Sequence, residues 1–227
     1  MGQSWVDVLF AHWPVPPETL RPAVPAAVPV DTFDGSAWIG ITPFEVIGAR
    51  PRGAPPVPWL SRFPELNVRT YATVDGRPGI WFLSLDAARL PIVLGARRAY
   101  RLPYHHARMS VTRRGGRVTY RSESLSPRRP RAALELDYAP VAAPVPPVRG
   151  TLEHFLTERY TLWTIDAAHR LHAADIHHAP WPLQRADADL RENTMTAPYG
   201  LALPGVDPLL HYAARQDVVV WPPRRAG

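Results

Sequence analysis

The chain has 227 residues, 46% of them hydrophobic, with 8 Trp and a formal net charge of +6, which is enough apolar mass to bury a full core. It contains no Cys and no Lys, so all 26 basic residues are Arg, and disulfides, thiolate nucleophiles, Cys-bound zinc and a Schiff base on any side chain are excluded. No apolar run reaches the roughly 18 residues of a membrane span, and Met1 to Asp7 lack the basic start and apolar block of a signal peptide, so a soluble, cytoplasmic protein is expected.

Short apolar or aromatic segments recur between turn signals. They predict strands over Trp5 to Trp13, Ala37 to Ile47, Leu66 to Val74, Gly79 to Leu85, Arg108 to Thr112, Val118 to Ser122, Ala132 to Tyr138 and Asp217 to Trp221. Asp75-Gly76 closes one hairpin and Gly115-Gly116 another, which makes much of the sheet antiparallel. Pro14 to Pro29 and Pro140 to Pro147 are stiff connectors, and the part beyond the second is too short to fold alone, so one domain is expected.

The most informative strand is Phe63 to Tyr71. Successive side chains of a strand point to opposite faces, so Glu65, Asn67, Arg69 and Tyr71 share one face and Leu66, Val68 and Thr70 the other. Glu65 and Arg69 stand roughly 13 Å apart along such a strand and cannot pair with each other. Each needs another partner or a ligand.

A helix is predicted from about Ala88 to Arg98, with Asp86 as its cap and Leu90, Val93 and Leu94 on one face. Gly95 within it costs about 1 kcal/mol relative to Ala, which suggests close approach of another group. A second strand follows, whose alternation puts Tyr104, His106, Arg108 and Ser110 on one face. Opposite Glu65, Asn67 and Arg69, that face brings together groups for acid-base work and anion binding. Turned to solvent, the same alternation describes an ordinary half-buried sheet.

The clusters Arg113-Arg114 with Arg117, and Arg128-Arg129 with Arg131, flank turn residues and are expected to be solvated hairpin tips and loops. No nucleic-acid partner is expected, since no zinc-finger, RNA-recognition or basic-zipper signature accompanies them. A further helix is predicted after Gly150, with Thr151 as cap, Leu152, Phe155 and Leu156 as its apolar stripe, and Arg159 meeting its last carbonyls. His169 and His172 have the spacing of one helical face, but adjacent His pairs point oppositely and no acidic surround is evident, so no metal is expected. His178 and Gln184 are candidate cavity residues. Trp181, fixed between Pro180 and Pro182, reads more readily as a core plug.

Phe63 to Tyr71, Gly79 to Ala87, Ala96-Arg97 with Leu102-Pro-Tyr-His-His-Ala107, Phe10-Ala-His-Trp-Pro14, Asp31-Thr-Phe-Asp-Gly35, Leu156-Thr-Glu-Arg-Tyr160 and His178 to Leu183 together resemble the bacterial family called domain of unknown function 2071. The resemblance implies the acetoacetate decarboxylase-like superfamily, with a mainly β, closed, cone-shaped antiparallel barrel or double sheet, two or three short helices and a small polar cavity. In that superfamily a strand Glu stands near the position of Glu65, and two adjacent Lys follow a turn, one of them forming the Schiff base. Here the turn is followed by Tyr104 and His105, so imine decarboxylation is excluded whatever the fold. The expected function is recognition of a small oxygenated or anionic metabolite, with or without its transformation by a route free of a Schiff base and of any cofactor. The alternative is a non-catalytic binding or sensor protein. Glu65, Tyr104 and His106 are the candidate catalytic groups, and Asn67, Arg69, Arg108, His178 and Gln184 the candidate ligand contacts. Exposed strand edges leave room for a homo-oligomer, but no pattern sets its symmetry.

Overall fold

The computed structural model describes residues 1–227 apart from Arg52, Arg128 and Gly227. Twelve strands form one sheet: β1 (Gly2–Val15), β2 (Ala37–Arg50), β3 (Phe63–Val74), β4 (Arg77–Ala87), β5 (Tyr104–Arg114), β6 (Arg117–Ser124), β7 (Ala133–Pro140), β8 (Thr161–Ile165), β9 (Leu171–His177), β10 (Gln184–Asn193), β11 (Leu209–Val220) and β12 (Arg224–Arg225). Among the described residues three α-helices accompany them, α1 (Pro17–Leu20), α2 (Leu90–Tyr100) and α3 (Leu152–Thr157). The strand order is β12-β9-β8-β4-β3-β2-β1-β11-β10-β7-β6-β5, with β9 also paired to β11 and β4 to β5. Pairing is antiparallel except between β4 and β5 and between β4 and β8. The protein is mainly β, as the sequence predicts.

The two extra pairings close the sheet twice. A first ring runs β9-β8-β4-β3-β2-β1-β11, and a second runs β4-β3-β2-β1-β11-β10-β7-β6-β5. The strands they share form a wall between two hydrophobic interiors. On β3, Phe63 and Tyr71 pack into the first interior, while Leu66, Val68, Ala72 and Val74 pack into the second. The period of two alone makes this separation.

Bulges adjust it. The β3–β4 register shifts between Val68 and Arg69, and on β4 the first-ring side chains change from Ile80 and Phe82 to Leu85 and Ala87. One extra residue reverses every side chain beyond it. Asp86 therefore lies in the strand, fully buried and ion-paired with Arg129, and Arg89 takes the N-cap of α2 in its place. On β1, Asp7 at φ 52° lies within the register shift against β2, a conformation Asp tolerates better than most residues. Its carboxylate accepts from Tyr212 Oη and Arg113.

Other expectations are corrected here. Of the predicted apolar face of α2, Val93 is buried, whereas Leu90 and Leu94 are exposed. No atom lies within 4 Å of a Cβ built on Gly95. Of the basic clusters, Arg113, Arg117 and Arg131 are exposed as expected, pairing with Asp7 and Glu45, Asp187 and Glu123, whereas the Arg129 side chain is buried against Asp86. Arg128 lies outside the described residues. His169 sits in a turn at φ 57° and His172 in β9, where its ring meets Asp166 Oδ2 at 3.1 Å. No helix among the described residues is long and apolar enough to cross a membrane.

Candidate functional site

Glu65, Asn67 and Arg69 point into the first ring and are all buried. The register sets Asn67 opposite Leu85 of β4, and Leu85 in turn opposite Tyr104 at the start of β5. The parallel β4–β5 pairing thus brings the phenol to the carboxyl, with Tyr104 Oη 3.1 Å from both Glu65 Oε1 and Oε2. Burial pushes the Glu65 carboxyl from an ordinary 4.5 up to about 8, against the downward pull of hydrogen bonds from Tyr104 and Asn67. Burial also raises the Tyr104 phenol well above 10, helped by the charge of Glu65. At neutral pH Glu65 holds a proton that an exposed carboxyl would release.

Two spaces adjoin these groups. A chamber of about 570 Å³ is lined by Glu65, Asn67, Tyr104, Leu85 and Phe82, by α2 from Pro91 to Tyr100, and by Val57, Leu60 and Val220. A small niche of about 20 Å³ lies beside it, lined by Thr42, Arg69, Thr157, Arg159, His178 and Trp181. Trp5, Asn67, Phe82 and Ile176 line both and form a collar between them.

Among the described residues, no carboxylate holds Arg69. Its Nη2 donates to the Leu156 carbonyl at 3.2 Å, and its guanidinium stands 5.2 Å from the Phe10 ring. Leu156 lies in the last turn of α3, where free carbonyls carry partial negative charge. Tyr71 Oη donates to the same carbonyl at 2.8 Å and meets His12 Nε2 at 2.7 Å. Since the phenol directs its one hydrogen to the carbonyl, His12 donates from Nε2. Burial, with Arg69 and His211 nearby, holds the His12 ring well below its ordinary 6.5 and hence neutral. Tyr71 and His12 thereby position the carbonyl that anchors Arg69. Arg159, also buried, donates to the Phe155 carbonyl at 2.6 Å and pairs with Asp31 at 2.8 Å.

The remaining sequence candidates separate. His178 lines the niche, stacked on Tyr160 at 4.5 Å, and burial lowers its ring from 6.5. His106 is half-buried and lines neither space. Arg108 is exposed and pairs with Glu123 at 3.6 Å. Gln184 lines neither space and donates to the Ala142 carbonyl at 2.7 Å. The physical reason is that β5 leaves β4 after His106 and pairs with β6 from Ala107 onward, taking Arg108 away from the first ring. Trp5 and Thr42, not singled out in the sequence, line the niche. Alternation on β2 points Thr42 to the same interior as Phe44, whereas the irregularity at Asp7 hides the position of Trp5.

Residues 2–217 match the model of a family described as DUF2071, an uncharacterized conserved protein. The uncharacterized protein YqjF of Bacillus subtilis (strain 168) is 46% identical over 225 residues, covering 99% of this chain and 92% of that protein. Among solved structures, the enduracididine biosynthesis enzyme MppR complexed with pyruvate superposes with a TM-score of 0.67 at 12% identity, covering 99% of this chain and 90% of that one. An acetoacetate decarboxylase-like enzyme from Sphingomonas wittichii RW1 gives a TM-score of 0.65 at 13% identity, covering 100% and 92%. At such identities these likenesses bear on the fold, which is of the acetoacetate decarboxylase-like type.

Proposed function

The chain belongs to the DUF2071 family, and from that premise we propose that its first-ring cavity binds a small oxygenated or anionic metabolite and transforms it by acid-base chemistry at Glu65, with no imine on a side chain. The observation that carries the reading is a fully buried carboxyl, held near pKa 8, on the wall of a chamber large enough for a ligand. A group of that pKa gives and takes a proton near neutrality, the condition under which general acid-base catalysis is most effective. Glu65 donates to an oxygen on which negative charge develops and takes a proton back from the ligand in a later step. Tyr104 steadies the ionised carboxylate between those steps, and Asn67 and Arg69 orient the ligand.

A pyruvate complex of the structurally similar MppR supports a small carboxylate as the kind of ligand this fold accommodates. The absence of Lys supports a second reading, a binding or sensor protein on the same fold. Metabolite profiling separates the two. A compound consumed by the wild type but not by Glu65→Gln, with the melting temperature at pH 5 nearly unchanged, is the expected result. A compound retained unchanged by both indicates a binder.

A further inference from the structure

We infer that the cavity takes monocarboxylates carrying an extended apolar chain, with the carboxylate in the niche and the chain in the chamber, a reading that rests on the cavity being the small-molecule site proposed above. The niche supplies the first half of the argument. Among the described residues, five buried polar atoms of its walls have no hydrogen-bond partner in the protein: Trp5 Nε1, Thr42 Oγ1, Asn67 Oδ1, Arg69 Nε and Trp181 Nε1. Buried polar atoms are normally paired, so five around one small space point to an external partner. Four of the five can donate, and three can only donate, so that partner is an acceptor.

Charge narrows it further. The Arg69 guanidinium is buried, and among the described residues no carboxylate lies within ion-pair distance of it. A buried cation of this kind favours an anion over a neutral carbonyl. The niche, at about 20 Å³, exceeds the roughly 10–15 Å³ that one water needs by little, and it matches the oxygens of a carboxylate better than a bulkier anion.

The chamber supplies the second half. Its walls include Leu60, Phe63, Ile92, Leu162, Ile176 and Val220, and its volume of about 570 Å³ is of the size that holds drug-sized ligands. A three-carbon acid would use a small fraction of it, while a hydrocarbon chain gains by leaving water along its length. The carbons next to the carboxylate would cross the collar at Asn67, two residues along the strand face from Glu65. The proton chemistry would then fall close to the carboxylate end of the ligand.

The test is calorimetric titration of the full chain with straight-chain carboxylates from butanoate to dodecanoate and with the matching primary amides. Affinity for the acids should rise about fourfold per methylene until the chamber is filled. Amides should bind about tenfold more weakly or worse. Thr42→Val and Trp181→Phe, which keep shape and remove one donor each, should weaken the acids several-fold and spare the amides. Affinities independent of chain length, or amides as tight as acids, would overturn the inference. If the acids bind in this pattern but neither wild type nor Glu65→Gln consumes them, the binding class stands and the acid-base reading falls. If a compound without a carboxylate is consumed through Glu65 while the acids fail to bind, the acid-base reading stands and this inference falls.

Discussion

Among the described residues, Glu65 has Tyr104 and Asn67 as hydrogen-bond partners and no guanidinium within ion-pair distance. Its protonation is therefore linked to folding. Between about 4.5, the unfolded value, and about 8, the folded value, the native state keeps a proton that the unfolded chain has lost. Stability then falls as pH rises through that window, by an amount on the order of 5 kcal/mol at most. Glu65→Gln removes the penalty. In urea denaturation the variant should match wild type near pH 5 and exceed it by several kcal/mol near pH 9, and a difference that stays flat with pH would contradict the buried-acid assignment. Tyr104 stabilises the ionised form, so Tyr104→Phe should raise the carboxyl pKa further. Carbon-13 NMR titration of the Glu side chain reads that shift, and a downward shift would show that Tyr104 acts otherwise. At this scale the sequence is legible where a strand is regular: the shared face of Glu65, Asn67 and Arg69 follows from spacing. It is illegible for Arg108 and Gln184, whose places depend on where their strands change partners.

Strands and helices were readable when one face was apolar. β1 to β7 all lie where apolar runs predict strands, while β11 is predicted only from Asp217 onward. β10 escaped because its inward face offers only the small Ala186 and Ala188 to the core, between the polar ends Gln184 and Glu192, and β9 because Leu171 to His177 mimics a helical spacing. Bulges are the elements that alternation cannot locate, and they decide which side chains of β1 and β4 reach the cavity. Two glycines test the packing of elements directly. A Cβ on Gly79 would lie 2.4 Å from Trp163 Nε1 and 2.8 Å from the Thr161 carbonyl, where β4 meets β8. Gly79→Ala should lower stability by a few kcal/mol, the usual size of an overpacking loss. Gly95 in α2 has open space around it, so Gly95→Ala should raise stability by about 0.5–1 kcal/mol. Thermal melts of the pair check both signs.

For the whole molecule, the first ring is unevenly joined. β1 and β11 align over ten residue pairs, but β8 meets β4 through two pairs and β9 meets β11 through two. The β8–β9 hairpin is thus a panel held by short seams, and it contributes Leu162 and Ile176 to the chamber wall. Few backbone pairs across a seam mean a low free energy of local opening. Native-state hydrogen exchange should find the seam amides of β8 and β9 exchanging at lower free energy than those joining β1 to β2, and equal protection would show the ring to open as one unit.

The shared wall has a consequence for how such a protein changes over time. Along β3, neighbouring positions answer to different demands: Glu65, Asn67 and Arg69 face one interior, while Leu66 and Val68 face the other and fill a hydrocarbon core. Substitutions at odd positions can alter what the cavity accepts while the even positions continue to secure the fold. A lineage, or a designer, can therefore reshape the cavity on one face of the wall with little loss from the other. Directed libraries confined to positions 65, 67 and 69 should contain a larger share of folded variants than libraries of equal size confined to 66 and 68.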